Sequence, residues 1–233
     1  MTARLLISAA FALLAGCGSP NQPAPAPTPS PAITATPTAA GPLAPRDECI
    51  QRAGFPAFHA ALTGSVAKQD AAALAALADP GIRLDFGGGG GRDALLQRLG
   101  DQATGPDLWR ELAKIAAWGC ASPDAATATY PWFFAHLPDL DDPYSARIVI
   151  GDNVALRKGP LETTPLVRKL AWELVTLVPG EARSTNPHAE VVARADKADG
   201  YVRREVLRPL NGFRLLAQKT AQGWRIMAFV TGD

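Results

Sequence analysis

Eight short segments between residue 147 and the carboxyl terminus set the strongest limit on what this chain becomes: RIVI, VALR, LVRKL, WELVTLV, AEVVAR, YVRREVL, FRLLAQK and WRIMAFV. Each is rich in β-branched and aromatic residues, and Gly, Pro, Asn or Asp punctuate the run, marking strand ends and turns. A succession of short strands buries its apolar faces by bending one sheet on itself, which predicts a small barrel or tightly curved sheet. The last two segments alternate around Thr220 to Gly223 and read as a hairpin.

The preceding residues follow a different period. PAFHAALTGSVAKQ sets Phe58, Leu62 and Val66 at helical spacing, Asp70 is placed to cap AAALAALA, and DPG ends that helix. Asp107 is placed to cap LWRELAKIAAW, where Leu108, Leu112 and Ile115 share a face. Between these helices Ile82, Leu84 and Phe86 alternate with Arg83 and Asp85 as a strand with one buried face. The fold class is therefore α+β: a mainly helical unit with one or more strands over 47–145, a small barrel over 146–208, and a hairpin over 209–233 that packs on either of them. YPWFFAHL concentrates aromatics, and Trp132 reads either as core or as an exposed recognition contact.

The run LDFGGGGGRDALL raises the question of a phosphate cradle. A Walker-type loop needs a lysine and a hydroxyl residue after its last glycine, where this chain has Arg92 and Asp93. A dinucleotide fingerprint needs an acidic residue ending a second strand, whereas Asp107 precedes a helix. The glycines are instead expected to turn the backbone through positive φ before Asp93 starts DALLQRL.

Within the strand-rich part, GDNVALRKGPLETTPLVRKLAWELVTLV resembles the opening of bacterial Src-homology-3-type domains, on Leu156, Arg157, Gly159, Pro160, Val167, Leu170 and Val175. DGYVRREVL at Asp199 to Leu207 resembles their closing glycine-aromatic-valine strand, so the likeness covers about residues 147–208. It implies an SH3-like barrel that binds peptidoglycan or a peptide segment, with Arg157, Trp172 and Tyr201 as candidate contacts; Trp132, outside this stretch, is a further candidate through its aromatic cluster. Trp172 departs from the pattern, which usually has a small residue there, and PHAEVVARA stands where a tryptophan is usual. Separately, FHAALTGSVAKQDAAALAALADPGIRLDF and the closing W-I--F resemble cone-shaped folds related to nuclear transport factor two. That likeness implies one α+β unit built from both ends of the chain, with the barrel inserted.

The amino terminus supplies an address. Arg4, the apolar run LLISAAFALL and LAGC at Leu14 to Cys17 form a signal peptide over 1–16 with a cysteine at the cleavage point. The run is too short to be read as a membrane span. It resembles the lipobox of bacterial lipoproteins, which implies diacylated Cys17 and a membrane partner reached through the lipid anchor. Gly18 and Ser19 in place of an aspartate imply outer-membrane attachment facing the periplasm. Residues 17–46 then read as the lipidated cysteine and a disordered Pro/Ala/Thr-rich spacer, uncharged over 18–45. Cys49 and Cys120 remain as an even pair in a disulfide-permissive compartment and are expected to bond to each other.

The net charge of +1 offers no field to draw the chain onto nucleic acid. His59, His136 and His188 fall in no pattern with a cysteine nucleophile, and no ligand pair has zinc-site spacing, so no catalytic residue, metal or cofactor is assigned. The basic cluster Arg203, Arg204 and Arg208 reads as a solvated strand edge. The chain is expected to be a non-catalytic cell-envelope lipoprotein binding peptidoglycan or an envelope protein. The alternatives are a cone-fold small-molecule binder or enzyme, with a pocket near Asp85, Trp109 and Trp132, and a wall hydrolase. Mass spectrometry of the membrane fraction is expected to find Cys17 acylated and amino-terminal, and to find neither processing nor acylation in a Cys17→Ser variant.

Overall fold

The computed structural model describes residues 41–232. The signal peptide, Cys17 and the spacer up to residue 40 lie outside the described residues. In chain order the elements are β1 (Arg46–Asp47), α1 (Phe55–Lys68), α2 (Ala71–Leu77), β2 (Ala78–Arg83), α3 (Arg92–Gly100), α4 (Gly105–Ala117), β3 (Gly119–Cys120) and β4 (Thr127–Tyr130). A 3-10 turn at Trp132–His136 leads to β5 (Ala146–Val149), β6 (Val154–Arg157), β7 (Leu166–Leu170), β8 (Leu174–Leu177), β9 (His188–Ala193), β10 (Asp199–Arg203) and β11 (Leu207–Pro209). β12 (Arg214–Thr220) and β13 (Gly223–Val230) close the chain. The class is mixed α+β, and among the described residues no helix is long and apolar enough to cross a membrane.

The helix signals act largely as their chemistry requires. Asp70 Oδ1 accepts from the Ala73 amide at 2.9 Å and caps α2. Helix α4 starts earlier than Asp107: Pro106 occupies its first turn, and Asp101 Oδ1 gathers the amides of Ala103 and Thr104 just ahead of it. The DPG triplet lies inside β2 instead of ending a helix, and β2 stops at Arg83, leaving Phe86 48% exposed beyond it. Its ring lies against Arg214, whose guanidinium is 5.2 Å away.

β12 and β13 fill the two central places of a four-stranded sheet ordered β2-β13-β12-β4. The hairpin therefore belongs to the helical unit. Trp224 of β13 packs edge-on against Phe55 of α1 at 5.1 Å, donates through Nε1 to Ala53 O at 3.1 Å, and joins Leu62, Leu74, Leu112 and Ile115 in the first core. Tyr130 of β4 pairs with Leu215 of β12, so residues 131–213 leave and return at one place. Most of that insertion is a seven-stranded sheet ordered β11-β5-β8-β9-β10-β6-β7, whose inward residues Leu156, Leu170, Val175, Val191 and Val202 form a separate apolar cluster.

A third cluster stitches the two together: Ala121, Trp132 and Phe133 from one side meet Ala146, Ile148, Trp172 and Leu174 from the other. Residues 41–46, assigned to the spacer by composition, enter it. Leu43 and Ala44 are buried, Leu43 N donates to Trp172 O at 2.9 Å, and a Cβ at Gly41 would run into the Ala171 carbonyl. Arg208 fastens the same seam. It pairs with Glu111 of α4 at 2.9 Å, donates to Phe213 O at 2.8 Å and lies 4.7 Å over the Trp118 ring. Arg204 pairs with Glu181 at 2.5 Å. These two arginines are structural anchors, and the solvated-edge reading holds only for exposed Arg203.

Cys49 and Cys120 are bonded, fully buried and 71 residues apart. Closing a loop of that length restricts the unfolded chain by about 4 kcal/mol. Replacing both with Ala is expected to lower the unfolding free energy by up to about that amount, seen as a reduced urea midpoint.

Candidate functional site

Strand period places five polar side chains on one outward face. With Leu156, Ala189 and Val202 fully buried, their alternating neighbours Arg157, His188, Glu190, Tyr201 and Arg203 must point the other way. Register then brings them side by side: Arg157 lies opposite Tyr201, Tyr201 opposite Glu190, and Arg203 opposite His188. The loop between β6 and β7 folds back over this face. Lys158 N donates to Pro165 O, Thr164 Oγ1 donates to the Gly159 carbonyl at 2.9 Å, and Arg157 Nη1 donates to Thr164 O at 2.9 Å.

The fold-back delivers Glu162 to the three basic groups. Its carboxylate lies 3.3 Å from His188 Nε2, 3.5 Å from Arg157 Nε and 3.9 Å from Arg203 Nε. A cleft of about 280 Å³ opens here, lined also by Asp152, Val154 and Tyr201. Tyr201 donates to Glu190 Oε2 at 3.1 Å, and this bond pushes its phenol pKa up. Leu161, Leu166 and Val167 stand exposed on the same hairpin.

Of the four candidate contacts, the structure brings together Arg157 and Tyr201. Trp172 and Trp132 are only 8% and 3% exposed and sit in the seam. Trp172 packs edge-on to Trp118 at 6.4 Å. Trp132 stacks on His136 at 4.1 Å and donates through Nε1 to Glu48 Oε1 at 2.8 Å. His188 and Glu162 escaped the sequence reading: alternation within AEVVAR points outward from His188, but nothing local announces that the loop returns Glu162 to it.

The glycine run wraps its own carboxylate: Asp85 Oδ1 accepts from Gly87 N at 3.0 Å and Gly89 N at 2.7 Å, while Oδ2 pairs with Arg98 at 2.6 Å. Gly88 and Gly91 take φ of 94° and 92°, the left-handed turns expected of the run. Asp85, Trp109 and Trp132 do not converge: Asp85 is on this surface loop, Trp109 in the first core and Trp132 in the seam. The histidines occupy three separate places, His59 bonding Tyr130 Oη at 2.7 Å, His136 pairing with Glu48 and His188 with Glu162. Burial drives the Tyr130 phenol pKa far up. Among the described residues no group of three His, Cys, Asp or Glu is placed to hold a metal ion.

No protein-family model matches the chain, and no curated protein matches it in sequence. A solved structure described as an NTF2-like protein with a cystatin-like fold, from Novosphingobium aromaticivorans, aligns over 76% of this chain and 77% of its own. The identity is 14% and the TM-score 0.26.

Glu48 ties β1 to the aromatic turn. Burial pushes its pKa up, but the bonds from Trp132 Nε1 and Ser122 N, with His136 nearby, prevail and hold it below the ordinary 4.5. A folded-state pKa below the unfolded one stabilises the fold above the unfolded pKa, and the benefit fades as pH falls through the folded value. Glu48→Gln is therefore expected to be less stable than the parent near neutral pH, with the two urea midpoints converging as pH drops below 4.5.

Proposed function

We propose that this protein is a non-catalytic lipoprotein of the cell envelope, anchored through acylated Cys17, whose residues 146–208 form an SH3-like barrel that binds peptidoglycan or an envelope protein. The barrel reading is supported by pairing order. β11, the last strand, pairs with β5, the first, and β5, β8, β9 and β10 follow as antiparallel neighbours. The long β6–β7 hairpin then attaches to β10. β11 and β7 are the two edges of this sheet, and its inward residues gather in one apolar cluster, as a barrel interior requires. The flanking unit is read as a cone fold related to nuclear transport factor two. Its support is that α1, α2 and β2 from one end of the chain and the β12–β13 hairpin from the other share one core.

The observation that carries the functional reading is the cleft of Arg157, Glu162, His188, Tyr201 and Arg203 beside exposed Leu161, Leu166 and Val167. Charged groups that anchor this fold are buried and tightly paired, as Arg208 and Glu111 are. In the cleft Glu162 and Arg203 are 59% exposed, and Leu161, Leu166 and Val167 stand exposed beside them.

A Cys17→Ser protein is expected to be retained on purified peptidoglycan. Retention should fall at least several-fold in Arg157→Ala/Tyr201→Ala at unchanged circular dichroism. Equal retention of both proteins would remove the cleft from the reading, and retention of neither would leave only the protein-partner form of it.

A further inference from the structure

We infer that the cleft is a carboxylate subsite in which Glu162 serves as an exchangeable internal counter-ion, standing where the terminal carboxylate of a bound peptide goes. The inference rests on the reading of the barrel as the binding module and names the chemistry that module takes.

The contrast among ion pairs within this one molecule supports it. Arg168–Glu173, Arg204–Glu181 and Arg208–Glu111 are 2.8, 2.5 and 2.9 Å long, with carboxylate side chains only 11%, 17% and 20% exposed. Glu162 is 59% exposed, and its three basic neighbours all stand 3.3 Å or more away. The first group is fixed by desolvation and short charge-assisted bonds. The second is held weakly, as exposed pairs are.

The cationic side is better fixed than the carboxylate that balances it. Arg157 is tied to Thr164 O, and the Arg157 and His188 side chains are 25% and 13% exposed against 59% for Glu162. Arg157 Nε faces Glu162 at ion-pair distance without hydrogen-bond geometry. A carboxylate in the place of Glu162 meets the Arg157 and Arg203 guanidiniums and His188 Nε2. Of the other acids nearby, Glu190 is engaged by Tyr201 and Glu205 by Arg203. Asp152 also lines the cleft, from the turn that precedes β6. A volume near 280 Å³ falls just short of the about 300–1,000 Å³ of whole-ligand pockets, which suits a terminal group better than an entire ligand.

The test titrates the folded Cys17→Ser protein with N-acetyl-alanyl-alanine and, separately, with its C-terminal amide, following the His188 ring signals by NMR. The free acid is expected to shift them and the amide to leave them unmoved. Glu162→Gln, at an exposed position that does not threaten folding, is expected to tighten acid binding about two- to fivefold by removing the competitor. Arg157→Gln is expected to abolish it. Equal responses to acid and amide, or unchanged or weaker acid binding in Glu162→Gln, would overturn the inference. If peptidoglycan retention persists in that case, the binding-module reading stands without it; if retention is also lost, both fall.

Discussion

The β12–β13 hairpin is last in sequence and central in space, and the rest of the molecule is arranged around that fact. β2 and β4 have no strand between them until the final residues of the chain arrive, and the first core has no lid over Phe55 until Trp224 is in place. The Tyr130–Leu215 pairing also fixes where the inserted sheet leaves and re-enters. Contacts between such distant positions must be formed against the full entropy of the intervening chain, so this topology favours slow, concerted closure over independent folding of the helical half.

Much of this was legible from residue patterns. Seven of the eight β-rich segments carry one strand each, because alternation and turn residues act locally, while YVRREVL is split by a 3-10 turn at Arg204–Val206 between β10 and β11. Pairing order was not legible, since a period of two says that a strand has an inner face but not which strand lies beside it. The ambiguity of the carboxyl-terminal hairpin was of this kind. Phe86 misled for a related reason: it continues the alternation of Ile82 and Leu84, but the strand ends at Arg83. Trp132 read as core ahead of surface and the direction of Trp172 was open, because a large amphipathic ring is at home in either setting. Arg208 was taken as solvated because its partner Glu111 lies 97 residues away.

Two carboxylates, Asp85 and Glu162, occupy anion positions, and their surroundings separate them. Asp85 receives two glycine amides and a guanidinium at 2.6 Å, so the glycine-rich loop is closed on itself and its polar groups are satisfied. That arrangement explains the five glycines without any nucleotide: a loop this tight around a side chain needs residues that accept positive φ and leave room for the carboxylate. Glu162 receives side chains alone, from a longer distance and on the open side of a hairpin.

The docking of Gly41–Ala44 against Trp172 has a mechanical consequence. Any pull on the amino-terminal segment is delivered at the seam instead of at a free end, and it peels the chain residue by residue, Leu43 from Trp172 and then β1 from β3. Peeling stops at Cys49, whose covalent bond to Cys120 passes the load to the end of α4 and the four-stranded sheet. Fully extended, residues 41–49 reach about 3 nm at most, and the slack released before that stop is shorter still by their folded span, so a load on this segment meets a short compliant stretch in series with a rigid body.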